Sequence, residues 1–500
     1  GRLFISGGEI QQATGGASTD GNGGSGIFSG SNLTISSGTI ETAQGGDGNA
    51  SGGMGIRSGG TLTISDNATI GTAKGGDGTA DDGTGGTGIY SAGRLFISGG
   101  EIQNATGGSG GSGIRGDSAV NILGGIIKNA EGTGGGAGIG GGANSSQATT
   151  INISGGTINA QGVGGGAGIG GGKNSSGATK IDISGNALVY AHGNDGAAIG
   201  SGESSAGETT ITIHDTNTGK GVKSAFAYNG AGIGSGHYAS GKTHITIRNA
   251  SVSSLESSTA STNNPGAGIG SGKRAKGNTD ITIEGSTVKA VGGYGAAIGS
   301  EGDFYSPPTG TPNALKTIIH ITDSNVTASS DSSAAIGSGS YSTNATDIEI
   351  TGGTINASSY DGSGIGSGDS AKGDTDIKIK NSNVTAKGFI DVRYVSHGTG
   401  IGSGLSSSGK TTIDISGGTV KATGSGDGYK GSAGIGSGSN STGDTSITLR
   451  DGVTVTATGG GNSSLGGGGG AGIGSGSDAN GNTTILIEGA AKVTAAGGST

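Results

Sequence analysis

Carboxylates come nearest to a chemical pattern in this sequence. Asp280, Asp347 and Asp376 occupy equivalent places just ahead of an Ile-x-Ile pair, and Asp347 and Asp376 fall in adjacent copies of a repeat. Adjacent carboxylates can hold Ca²⁺ through oxygen, or divide acid and base roles in polysaccharide cleavage. A solvated surface pair accounts for the same spacing. Asp47 and Asp77 stand in Gly-Gly-Asp-Gly phrases that look superficially like Ca²⁺-binding nonapeptides, but the sustained Gly-Gly-x-Gly-x-Asp register is missing, which leaves turn formation. His192, His214, His237, His244, His320 and His397 show no metal-ligand spacing. Phrases such as Gly138-Ile139-Gly140-Gly141-Gly142 lack the Lys-Ser/Thr and the helix of a phosphate loop. Cysteine is absent, so disulfides, thiolate metal sites and cysteine nucleophiles are excluded. No catalytic residue, metal or cofactor is expected, and the chain reads as a non-enzyme.

Aromatic side chains are the remaining candidates. Phe226, Tyr228, Tyr238, Phe304, Tyr305, Phe389, Tyr394 and Tyr429 fall in or beside loops and insertions. An exposed ring on a protruding ridge can stack on a sugar or anchor a protein contact. Phe304, Tyr305, Phe389, Tyr394 and Tyr429 are therefore the candidate ligand contacts, the alternative being that they fold back over their own loops.

The elements that would position these residues come from a repeat. A small residue, Gly or Ala, then Ile recurs with Ile at 27, 56, 89, 114, 139, 169, 199, 233, 269, 298, 336, 365, 401, 435 and 473. Such spacing marks a solenoid or propeller. Each copy holds three short apolar segments, as in Gly168-Ile169-Gly170, Ile181-Asp182-Ile183 and Leu188-Val189-Tyr190-Ala191. The second segment alternates with period two, which sets its Ile side chains on one face of a strand. Gly, Asn, Ser and Asp fill the short gap before the third, the chemistry of a tight corner. A propeller wants four antiparallel strands and hairpin signals, and these are not visible. The expectation is an all-β parallel β-helix (β-solenoid) of about 15 rungs with three short strands each, right-handed by default, in a rod on the order of 70 Å long. Residues 1–135 form rungs with a short first corner, and 136–500 form rungs with longer corner loops and insertions, in one continuous solenoid.

Aligning the repeats turns positions into columns. The residue between the paired Ile side chains reads His320, Glu349, Lys378, Asp414 in successive rungs, and the residue after the pair reads Arg248 then Glu284, and Arg450 then Glu488. Opposite charges one rung apart are expected to pair. Thr149, Thr179, Thr209, Thr243, Thr279, Thr346, Thr375, Thr411, Thr445 and Thr483 precede the second strand. A hydroxyl ladder serving strand starts is the reading preferred over an ice-binding array, which needs a flat face without bulky charge.

Composition bounds the function. Gly is 123 of 500 residues and only 29% are hydrophobic, sparse for a globular core but sufficient for a narrow stacked one. Collagen is excluded because Gly does not fall at every third place and Pro totals 4. A net charge of −9 disfavours nucleic acid as a partner. No apolar run is long enough to span a bilayer. The chain begins in mid-repeat at Gly1 and ends at Thr500, and it reads as a fragment of something longer.

The Gly-Ala-Gly-Ile-Gly-Ser-Gly, Thr-x-Ile-x-Ile and Gly-Gly-Thr-Val-x-Ala phrases resemble the repeats of large bacterial cell-surface and secreted β-helix proteins, including adhesins, autotransporter-type passenger domains and the surface repeat proteins of gut anaerobes. Ala198-Ile199, Ala297-Ile298 and Ala335-Ile336 are also similar to phrases of polymorphic outer-membrane proteins, whose companion Phe-x-x-Asn motif is not regular here. The resemblance implies an extracellular or cell-surface rod, a structural or adhesive stalk or fibre segment. Its implied partners are host or cell-surface glycans or proteins, or further copies joined end to end into a filament. A carbohydrate-binding module and, behind it, a polysaccharide-degrading enzyme are the alternatives.

Overall fold

In a computed structural model, residues 1–79, 84–254, 266–302, 311–388, 397–426, 430–461 and 468–498 are described. They fold as parallel β-strands joined by corners, and no helix occurs among them. No helix is therefore long and apolar enough to cross a membrane. Two compact units divide the chain, residues 1–244 with 250–253, and residues 245–249 with 254–500.

Both units are built from the same rung, three strands whose like members pair in parallel with those of the next rung. The first strand carries the repeated Ile. In the first unit its register runs Ile27↔Ile56↔Ile89↔Ile114↔Ile139↔Ile169↔Ile199↔Ile233. In the second it runs Ile269↔Ile298↔Ile336↔Ile365↔Ile401↔Ile435↔Ile473. The second strands stack Ile on Ile and the third stack Val, Ile and Ala on their likes, as in Ile377↔Ile413 and Val384↔Val420. Within each unit this is the parallel β-helix that the periodicity predicts.

The core follows from strand alternation. Ile181 and Ile183, Ile281 and Ile283, and Ile377 and Ile379 are all fully buried, while the residues between them face outward. The Thr column lies two residues before the first Ile of each pair, and the same alternation turns it inward. Thr179, Thr209, Thr279, Thr346, Thr375, Thr411 and Thr445 are buried, and Thr317 joins the column between Thr279 and Thr346. A buried column cannot meet ice, and the expected service to strand starts is not seen at Thr317, Thr346 and Thr375, whose hydroxyls have no hydrogen-bond partner among the described residues.

Glycine is fixed by the first corner. In later rungs the residue after the phrase Ile is Gly with φ between 134° and 145°, as at Gly270, Gly337 and Gly436. A Cβ at Gly270 would lie 1.8 Å from the carbonyl oxygen of Gly299 in the next rung. The following Ser closes the corner. Ser338, Ser367, Ser403 and Ser437 each accept a hydrogen bond from the backbone N–H of Gly368, Gly404, Gly438 and Gly476 in the next rung, at 3.1–3.2 Å. Corners between the second and third strands use Asp66, Asp215, Asp323, Asn381 and Asp451 at φ of 46° to 54°, a backbone region that Asn and Asp tolerate better than other side chains.

Candidate functional site

The five predicted ligand contacts, Phe304, Tyr305, Phe389, Tyr394 and Tyr429, lie outside the described residues. Of the other loop aromatics, Phe226 stacks on His192 one rung away with ring centres 5.1 Å apart, and Tyr238 stacks on His237 at 3.9 Å. Tyr228 remains exposed.

The carboxylates take the plainer role. Asp347 and Asp376 stand opposite each other in adjacent rungs, but Lys316 Nζ approaches Asp347 at 2.6 Å and Lys378 Nζ approaches Asp376 at 3.1 Å. This mixed patch lies on the outward face of the second strands. Asp280 stands opposite Ile318, apart from that pairing. Asp47 accepts the backbone N–H of Asp77, and Asp77 accepts that of Ser109, both at 2.8 Å, so the Gly-Gly-Asp-Gly phrases brace successive turns.

The charge column has the expected register, His320↔Glu349↔Lys378↔Asp414, but its pairs differ from expectation. His320 meets Glu349 at 3.4 Å. Lys378 turns instead to Asp376 in its own strand, whose hydrogen bond and charge raise the lysine pKa, with Asp347 and Glu349 contributing less. Arg450 reaches diagonally back to Asp414 rather than forward to Glu488, with Nε at 3.0 Å and Nη2 at 2.9 Å from the two carboxylate oxygens. A bidentate fork satisfies guanidinium geometry better than a single straight contact.

Among the described residues, two grooves hold polar and aromatic side chains together. The first, in the first unit, arises where early rungs depart from the glycine rule. After the phrase Ile stand Phe28, Arg57, Tyr90 and Arg115, in register on one outward face. The Arg57 guanidinium sits 5.3 Å from the Phe28 ring centre, a cation–π distance, and Phe28 is 56% exposed. Tyr90 donates to Asp117 Oδ2 at 2.5 Å, and Arg115 Nε donates to Asp117 Oδ1 at 3.0 Å. Arg115 Nη2 donates to Gln147 Oε1 at 2.8 Å, reaching the first of the longer corner loops. Burial, followed by the Asp117 hydrogen bond, pushes the Tyr90 phenol up to about 12. Tyr90, Arg115 and Gln147 line a groove of about 400 Å³ with Ser51, Thr84 and Asn144. Sequence reasoning missed this column, although listing the residue after each phrase Ile exposes it: Phe, Arg, Tyr, Arg, then Gly throughout.

The second groove, in the second unit, has about 260 Å³ and is lined by Val291, Ser330, Asp331, Ser359 and Tyr360. Beside it lie Asp361, Asp369 and His397. The Asp361 backbone N–H donates to the Asp331 carbonyl at 3.0 Å, and that of Gly398 to the Tyr360 carbonyl at 2.9 Å. Burial pushes the Asp361 carboxyl up to about 6, the Asp369 charge adding and His397 opposing. Burial likewise pushes Asp369 up to about 6, against its Ser370 hydrogen bonds, and raises Asp331. Asp361 Oδ1 is sealed from solvent without a hydrogen-bond partner among the described residues, which fits a carboxyl inclined to keep its proton better than a solvated base. Shifted carboxylates in a cleft are a feature of functional sites and of structural charge networks alike.

Comparison with known proteins adds the repeat and nothing finer. Residues 151–173, 281–303, 319–340, 348–369 and 413–439 match the family described as beta helix repeat. No curated protein and no solved structure matches the chain. The matched segments each begin in or just before a second strand and run through the next phrase Ile or up to its rung, the unit that the pairing register repeats. By sequence and by strand pairing alike, this is a parallel β-helix repeat protein.

Proposed function

We propose that this protein is an extracellular structural and adhesive rod, a stalk or fibre segment that presents a lateral surface and carries no catalytic centre. The observation that supports it best is the unshifted Ile register through each unit, rung upon identical rung. Such stacking adds length and side surface with each repeat, and its stability grows by nearest-neighbour terms rather than by enclosing one central site. Thiol-free composition and a low density of mixed charge suit an exposed surface protein. Electron microscopy of the native material and of the purified chain tests the reading. Elongated particles, single or joined end to end, are expected. Rounded particles, or release of reducing ends from polysaccharides incubated with the protein, would overturn it. A carbohydrate-binding role is the second reading, and the Tyr90–Arg115 groove favours it.

A further inference from the structure

We propose that the groove lined by Tyr90, Arg115, Asn144 and Gln147 binds a neutral saccharide chain along the stacking direction. The inference rests on the adhesive reading and gives it a ligand class. Its first support is placement. In most rungs the residue after the phrase Ile is a glycine that offers no side chain, whereas in four consecutive rungs of the first unit that place holds aromatic, cation, aromatic, cation, and the last two, Tyr90 and Arg115, line the groove. The groove spans the rungs of Ser51, Thr84, Gly110 and Gly142. Four rungs at about 4.8 Å spacing cover about 14 Å, which suits a linear oligomer better than a single small molecule.

The chemistry narrows the class. Asp117 accepts from both Tyr90 and Arg115, so the guanidinium that lines the groove is already neutralised. A phosphate or sulfate would have to compete with that carboxylate, whereas a neutral hydroxyl ligand need not. Arg115 Nη1 and the Gln147 amide N–H group are left over as donors among the described residues. The Asp117 and Gln147 oxygens offer further acceptor lone pairs. Tyr90, half-buried in the lining, supplies a ring face. The rim at Gly110, Gly111 and Gly142 keeps the groove open at the backbone, and a Cβ at Gly142 would come within 3.2 Å of Arg115 Nη1. A ring face beside fixed donors and acceptors matches the apolar face and hydroxyl edge of a sugar.

The test uses the whole chain on a glycan array, followed by calorimetric titration of the best oligosaccharide, with adherence to its native surface measured on the same protein. Uncharged oligosaccharides should bind with affinity that rises with chain length. Tyr90→Ala should weaken binding about tenfold and Tyr90→Phe far less, since the ring remains. Gln147 is exposed, so Gln147→Ala tests the groove without risk to the fold, and a loss of about fivefold is expected. Binding restricted to sulfated or phosphorylated glycans would overturn the proposal, as would parent-like binding by both Tyr90→Ala and Gln147→Ala. Adherence without any glycan binding would sink this inference and leave the adhesive reading standing; absence of both would sink the two together.

Discussion

At Gly270 the backbone takes φ of 144°, and a Cβ would lie 1.8 Å from the Gly299 carbonyl oxygen. Gly270→Ala should therefore cost about 3 kcal/mol or more in chemical denaturation, by combining strain with a clash that only a shift of the next rung relieves. Ile269, beside it, is fully buried, and Ile269→Asp should cost several kcal/mol by enclosing an unpaired charge. An unchanged denaturation midpoint for either variant would place these residues elsewhere than in the core corner. Asp361 makes a pH-dependent prediction. Its carboxyl sits near 6 when folded, above the ordinary value of 3.8, so the folded chain holds this proton more tightly than the unfolded one. The contribution is therefore full below about pH 4 and falls away as pH rises to about 6. Asp361→Asn keeps the shape without the charge. It should raise stability at pH 7 by about 1–3 kcal/mol and change little at pH 4, read from melting curves across that range. A variant less stable than the parent at pH 7 would show that the ionised carboxylate is wanted there.

At the scale of the strand, backbone register and side-chain partnership are separate matters. Stacking places Glu349 opposite Lys378, yet the lysine reaches Asp376, because a long flexible side chain can choose among several carboxylates within a few ångströms. Arg450 likewise takes Asp414 diagonally. These pairs remain open to solvent, the Arg450–Asp414 fork half-buried, and Asp414→Ala should cost about 1 kcal/mol and less at high salt. A larger loss would mean that the fork organises the strand. The inward Thr column shows a part that was legible but had to be read correctly. Thr375 stands two residues before Ile377, so period two alone puts it on the buried face. The aromatic–arginine column was legible only in hindsight, since Phe28, Arg57, Tyr90 and Arg115 differ from one another and acquire meaning as a set only when stacked.

For the molecule as a chain of repeats, the expectation is locality. Each rung bonds to the rungs above and below it, so a broken rung should loosen its neighbours and not distant ones. Ile199→Asp should speed amide exchange, followed by mass spectrometry, in Ile169–Gly170 and Ile233–Gly234 while leaving Ile27–Ser29 protected. Uniform loss of protection through the first unit would mean that its rungs unfold as one cooperative body instead.

The sequence by itself determined the rung: its three strands, its Ile and Val columns, its glycine and Asx corners, and the register that joins copies. It could do so because a stack repeats one local solution, and each solution leaves a periodic mark on the residues that must be buried or turned. What only the tertiary structure decided is where non-repeating side chains meet. Tyr90, Asp117, Arg115 and Gln147 converge because two adjacent rungs and the first long corner loop come together, and Asp331, Asp361, Asp369 and His397 gather at a corner on the other unit. The repeat marks the places of Tyr90 and Arg115, but Asp117, Gln147 and the second set have no period, so the meetings themselves could not be found by looking for one.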